Sequence, residues 1–149
     1  LSCKIGSSLA PARFVSQEKI ICSTPPLNGM QVAFTLPTSF NVSVSANGQD
    51  FVEVEGMPFT YLNRPQISGV FPATGAATGG TSLIIHGDYL LPHDADVGIF
   101  VSFGNTVVKG VSLNETTATC VTPSLETECN ASTVSIRIST NGGYDFSHR

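Results

Sequence analysis

The chain of 149 residues has no tryptophan, two methionines and three histidines, and only 12% of its residues are charged. Its apolar runs stop at four or five residues, as in Ser82-Leu83-Ile84-Ile85 and Val97-Gly98-Ile99-Phe100-Val101, far short of the roughly 20 that cross a bilayer as a helix. No direct membrane insertion is therefore expected. The net charge of -4 comes from acids scattered singly, with no basic footprint for nucleic acid. His86, His93 and His148 stand at no metal or catalytic spacing, and no G-x-S-x-G elbow, P-loop, HExxH or CxxC occurs. These gaps predict neither an enzyme nor a cofactor. Leu1-Ser2-Cys3-Lys4 is not a charged start leading into an apolar core, so the chain reads as mature or internal sequence without a signal peptide.

What is present suits a secreted protein. Hydrophobic residues make up 41% of the chain, enough for one ordinary core or two small ones. Four cysteines accompany three N-glycosylation sequons, at Asn41, Asn114 and Asn130, and serine and threonine exceed a fifth of the residues. Paired thiols and attached N-glycans point together to an extracellular location.

Alternation dominates over helical spacing. Met30, Val32, Phe34 and Leu36 share one face, as do Phe40, Val42 and Val44, which predicts half-buried strands. Asn41 falls on the opposite face with Ser43 and Ser45, where a glycan projects into water. Val134 to Ser139 alternates likewise and runs into Asn141-Gly142, as Val42 to Ser45 runs into Asn47-Gly48. Asn-Gly predicts positive backbone angles in a tight hairpin turn.

The phrase Cys22-Ser23-Thr24-Pro25 returns as Cys120-Val121-Thr122-Pro123, 98 positions on, and Cys3 to Gly6 lines up with Val101 to Gly104 at the same offset. After a shift of four residues, Val42 to Gly48 matches Ile136 to Gly142. The chain thus holds an internal repeat with a boundary near Asn63-Arg64-Pro65. Residues 1–63 are expected to be the C-terminal part of a first domain, lacking about 35 residues of front half, and residues 64–149 a second domain without its last strand.

The second copy reads Pro65-Gln66-Ile67-Ser68-Gly69-Val70-Phe71-Pro72, then Gly75, then Gly79-Gly80-Thr81-Ser82-Leu83-Ile84-Ile85-His86-Gly87-Asp88-Tyr89-Leu90. Phe103-Gly104 and the Cys-x-Thr-Pro strand end Cys120 to Pro123 follow in order, and the first copy supplies the Asn-Gly pair, Asn47-Gly48, and the closing aromatics Phe59 and Tyr61. This set resembles the IPT/TIG domain, the immunoglobulin-like fold of plexins, the hepatocyte growth factor receptor, fibrocystin-like proteins and some transcription factors. The resemblance implies an all-β fold of immunoglobulin-like sandwiches in tandem, the first incomplete at its N-terminus. Gly79-Gly80 is expected to make a tight reversal and Gly87 to let the chain turn after its strand.

The family-like cysteine pair is Cys3 and Cys22. The second copy has Val101 at the place of Cys3 and carries Cys129 instead, so Cys3–Cys22 and Cys120–Cys129 are the expected bridges, with free thiols or pairing to neighbouring chains the alternative for the second. Asp88, Asp94 and Asp96, in one loop with His93, form a weak calcium candidate, since Ca²⁺ takes six to eight oxygen ligands. Phe71, Tyr89, Phe100, Phe103 and Phe146 are expected to pack in the core rather than form a carbohydrate platform.

The expected role is a structural or adhesive module of a secreted or cell-surface glycoprotein: a semi-rigid tandem rod, extending to a fibre-forming protomer. Its partners would be neighbouring IPT/TIG domains or identical subunits. Spacer domains of a plexin-like receptor ectodomain and accessory domains of an extracellular glycan-processing enzyme are the alternatives.

Overall fold

The computed structural model describes residues 1–27, 36–125 and 133–147, and folds them into two compact units, Leu1–Leu62 and Asn63–Arg149. The first contains β1 (Ser2–Ile5), β2 (Ser8–Ser16), β3 (Lys19–Cys22), β4 (Thr38–Phe40), β5 (Val42–Ser45), β6 (Val52–Glu53) and β7 (Phe59–Tyr61). The second contains β8 (Gln66–Phe71), β9 (Ser82–Asp88), β10 (Ile99–Phe103), β11 (Thr106–Asn114), β12 (Thr117–Val121) and β13 (Ile136–Ser139). Among the described residues the sheet orders are β3-β2-β1-β5-β6 with a separate β4-β7 pair, and β13-β10-β11-β12-β9-β8. The result is an all-β, sandwich-like immunoglobulin fold. The expected strand through Met30, Val32 and Phe34 lies outside the described residues.

The repeat is geometric as well as textual. β1, β2 and β3 overlie β10, β11 and β12 at the offset of 98, and β5 overlies β13 at 94. Cys3 pairs with Val44 across β1 and β5, just as Val101 pairs with Ile138 across β10 and β13. Even the irregularity recurs: the register slips between Phe14 and Ser16 in one hairpin and between Ser112 and Asn114 in the other. A bulge adds a residue and a local twist, so its recurrence means that the two hairpins bend at the same place.

Strict alternation builds the core of the second unit. In β9, Leu83 and Ile85 are buried while Ser82, Ile84 and His86 are exposed. Leu83, Ile85, Leu90, Ile99, Val101, Phe103, Ala118, Cys120 and Ile138 close into one cluster. The described part of the first unit buries fewer apolar side chains, Cys3, Ile5 and Ala10.

Three expectations are corrected by packing. Phe71 is 68% exposed and Tyr89 is also exposed, because β8 and the turn after β9 direct them away from the cluster; Phe103 alone of the five aromatics is buried. Ser45, expected on the solvent face, is buried. Gly87 lies within β9 and makes no turn; a Cβ there would collide with the backbone carbonyl oxygen of Gln66 on β8, so glycine is required by the close approach of the two strands.

Gly87→Ala should therefore destabilise the second unit by about 2 kcal/mol or more, since neither backbone can yield cheaply. Gly69→Ala on β8 meets nothing within 4 Å and should change stability by less than about 0.5 kcal/mol. Urea unfolding of both variants checks the contrast, and equal losses would contradict it.

Candidate functional site

The described candidate residues sit on strands, hairpins and turns of both units. Cys3, buried on central β1, is bonded to Cys22 at the end of β3, with their Cα atoms 6.2 Å apart. This bridge ties a central strand to one at the margin of the sheet, in the unit whose described core is the smaller. A disulfide closing a loop of this size stabilises by about 3 kcal/mol through the unfolded chain, where a limited core stabilises least.

Cys120 departs from the expected pairing. It is a free, buried thiol, 5% exposed, facing inward from β12 among the apolar side chains of the cluster. Its counterpart in the first unit is Cys22, but the place of Cys3 is taken by Val101, which packs and cannot bridge. Cys129, the expected partner, lies outside the described residues. Burial pushes the Cys120 thiol up to about 11 from its ordinary 9.0.

Two of the sequons can be located. Asn41, exposed between β4 and β5, donates through Nδ2 to Glu53 Oε1 at 2.7 Å. Asn114 ends β11 at the tip of the hairpin to β12, and its Oδ1 accepts from both the amide (2.9 Å) and the hydroxyl (3.0 Å) of Thr116, the third residue of its own sequon. The same tip is braced from behind, because Thr116 and Glu115 offer their carbonyls to the amides of Gly87 and Leu90. Asn130 lies outside the described residues.

The side chains of the acidic loop stand apart. No group of three or more His, Cys, Asp or Glu side chains converges among the described residues. Asp88 closes β9, whereas the Asp94 carboxylate accepts from the Asp96 amide at 3.0 Å in a local turn. The three carboxylates that suggested calcium are thus not assembled.

Sequence reasoning missed a polar device that each unit contains. Ser45 donates its hydroxyl to Asn47 Oδ1, which also accepts from the amides of Gln49 and Asp50, while Asn47 Nδ2 reaches Asp50 Oδ2 at 2.7 Å. Ser139, Asn141 and Asp145 repeat this at the end of β13, with one extra residue accommodated in the loop. The glycines carry the positive φ, +79° at Gly48 and +78° at Gly142, and neither asparagine does. The pair is therefore not the two-residue turn expected from Asn-Gly; asparagine serves as a side-chain cap for a longer loop. The recurrence of Ser-x-Asn-Gly before an aspartate was the available signal.

A cation sits over the following aromatic in both units. Lys4 Nζ lies 6.0 Å from the centre of Phe51, and the Arg137 guanidinium 5.5 Å from that of Phe146. Lys4 on β1 faces Ser43 on β5, whereas Ser102 on β10 faces Arg137 on β13. The charge has changed strands and kept its place on the sheet.

This geometry defines tandem immunoglobulin-like units fastened by turns, a disulfide and cation–aromatic contacts. The family model of the IPT/TIG domain matches residues 1–61 and again 65–148. The chain belongs to the IPT/TIG family. Among curated proteins none matches. Among solved structures, the full extracellular region of plexin A4, domains 1 to 10, is similar over 95% of this chain with a TM-score of 0.57 at 19% identity. The chain spans 12% of that structure's length, and the likeness concerns the fold.

Two outcomes follow for the cysteines. Replacing Cys3 and Cys22 together by alanine should cost the first unit about 3 kcal/mol in denaturant unfolding. The folded Cys120 holds its proton more tightly than the unfolded thiol, so its contribution to stability is whole below about pH 9 and is lost as pH rises through about 11. The second unit should thus weaken over that window, and Cys120→Ala should remove that part of the pH dependence. A wild-type alkaline profile that the variant reproduces would refute the assignment.

Proposed function

We propose that the two units serve as a non-enzymatic structural or adhesive module of a secreted or cell-surface glycoprotein, holding other parts of the assembly apart. The observation that carries this reading is the duplication of the polar architecture. The serine–asparagine–aspartate cap and the cation–aromatic contact recur in both units, tied to the turns of each. Polar groups engaged in this way shape the loops that follow the strands.

The Cys3–Cys22 bridge supports an oxidising compartment, and the exposed asparagines of two sequons support N-glycans as covalent partners. The connection from β7 to β8 comprises residues 62–65 only and includes Pro65. So short a linker supports a semi-rigid tandem rod, with neighbouring IPT/TIG domains or identical subunits as its partners and a fibre as its extended form. The similarity in fold to a plexin extracellular region favours, as second reading, spacer domains of a receptor ectodomain.

Small-angle scattering tests the rod directly. The native chain should give a narrow distribution of inter-unit distances, which broadens when a flexible Gly-Ser segment is inserted between Leu62 and Asn63. A native distribution already as broad as that of the insertion variant would sink the proposal.

A further inference from the structure

The outer face of the second unit carries an apolar row that the core does not explain. Register places Val111 on β11 opposite Thr119 on β12, Thr119 opposite Ile84 on β9, and Ile84 opposite Phe71 on β8. Directly paired residues share a face of a sheet, and here it is the solvent face, because Ala118, Cys120, Leu83 and Ile85 fill the other. Val111 is 60% exposed, Ile84 38% and Phe71 68%. Thr119 turns its hydroxyl onto the carbonyl oxygen of Leu83 at 2.9 Å, which lowers the polarity of the row further. With strands spaced at about 4.8 Å, three gaps make a strip about 14 Å long.

Asn114 belongs to the neighbouring row of the same face. It pairs with Thr117, which pairs with His86, which pairs with Gly69. Two residues along a strand amount to about 7 Å, so the sequon stands one row from the apolar strip and at its β11 end. At the far end, beside Phe71, Gly69 leaves open space where a side chain would stand.

The first unit supplies a comparison within the same chain. At the offset of 98, Val111 corresponds to Arg13, which pairs with Ile21 in the place of Thr119. Asn114-Glu115-Thr116 corresponds to Ser16-Gln17-Glu18, which is no sequon. The position held by Val111 in the second unit is thus a charge in the first, and the acceptor at the matching hairpin tip is absent there.

We infer that the glycan on Asn114 lies back across this face and covers the strip Val111, Thr119, Ile84 and Phe71. The inference rests on the reading of the chain as a secreted glycoprotein. Pyranose rings present C–H groups on one face and hydroxyls at their edges, so they cover aliphatic side chains while keeping their hydroxyls in water. The positive C–H groups are drawn to the electron-rich face of an aromatic ring such as Phe71. An apolar strip on a soluble protein otherwise favours association, and a covalently tethered cover meets no loss of translational freedom in finding it.

The test uses the full chain secreted from a glycosylating eukaryotic host. Peptide mapping first establishes whether Asn114 carries a glycan. Fluorescence of a hydrophobic dye and two-dimensional NMR are then recorded on the intact glycoprotein, after enzymatic trimming of the folded protein to a single N-acetylglucosamine, and on Asn114→Gln. Dye binding should rise several-fold on trimming and in Asn114→Gln, and the rise should disappear when Phe71→Ser and Ile84→Thr are added. Sugar protons of the intact protein should show contacts to the Phe71 ring, lost in Phe71→Ser. Trimming needs no refolding, so a misfolded Asn114→Gln leaves the experiment decisive. A glycan present on Asn114 with no sugar–Phe71 contact and unchanged dye binding after trimming overturns the inference and leaves the glycoprotein reading standing. A secreted chain with Asn114 bare overturns the inference and the glycan assignment at this position together.

Discussion

The rest of each unit depends on one strand that is hydrogen-bonded along both edges and buried on its inner face. In the first unit it is β1, between β2 and β5; in the second it is β10, between β11 and β13. Its inner residue is fully buried in both, Cys3 in one and Val101 in the other. A strand held on two sides cannot slip by one residue without turning its apolar set to solvent and its polar set inward. That constraint fixes the register of every neighbour, down to the bulge that recurs at the same point of β2 and β11.

Around this strand the two units reach comparable ends with different chemistry. One ties the inner residue covalently to the end of β3; the other packs a valine in its place within a broader apolar cluster and leaves the opposite cysteine as a thiol. The cation over the closing aromatic shows the same freedom, since it comes from β1 in the first unit and from β13 in the second, with serine across from it each time. What recurs is a position in space occupied by a kind of interaction. The residue that supplies it is free to move to the facing strand, because directly opposed side chains lie within about 5 Å of one another.

Most of the architecture was legible in the sequence because it follows from alternation and from repetition. The pairing of Cys3 with Cys22, the strand through Val42 and Val44, and the match between Val42–Gly48 and Ile136–Gly142 could all be read from spacing or resemblance. The errors fell where side-chain direction depends on tertiary context. Phe71 has the size and pattern of a core residue, yet it sits on the outer face because the register between β8 and β9 shifts between Ile67 and Gly69. Ser45 and Ser139 alternate as surface residues, yet they are buried as acceptors and donors for the loops that follow. Gly87 looks like punctuation and is a contact. A single sequence reports the period of a strand well and the neighbour across it poorly.

An inner framework held constant leaves the outer faces free to differ, and it is there that the two units diverge most. The outer row of β2 and β3 contains Arg13, whereas that of β11, β12, β9 and β8 is apolar from Val111 to Phe71. Neither choice sets the register, since Arg13, Val111, Ile84 and Phe71 are not among the buried residues of the core. Exchange on such a face therefore costs the fold little and alters what the unit presents to its surroundings. A charged outer row and an apolar one differ in how they meet water, so the two units present different surfaces to their surroundings. In a repeat of this kind, function is written on the faces that folding leaves undetermined.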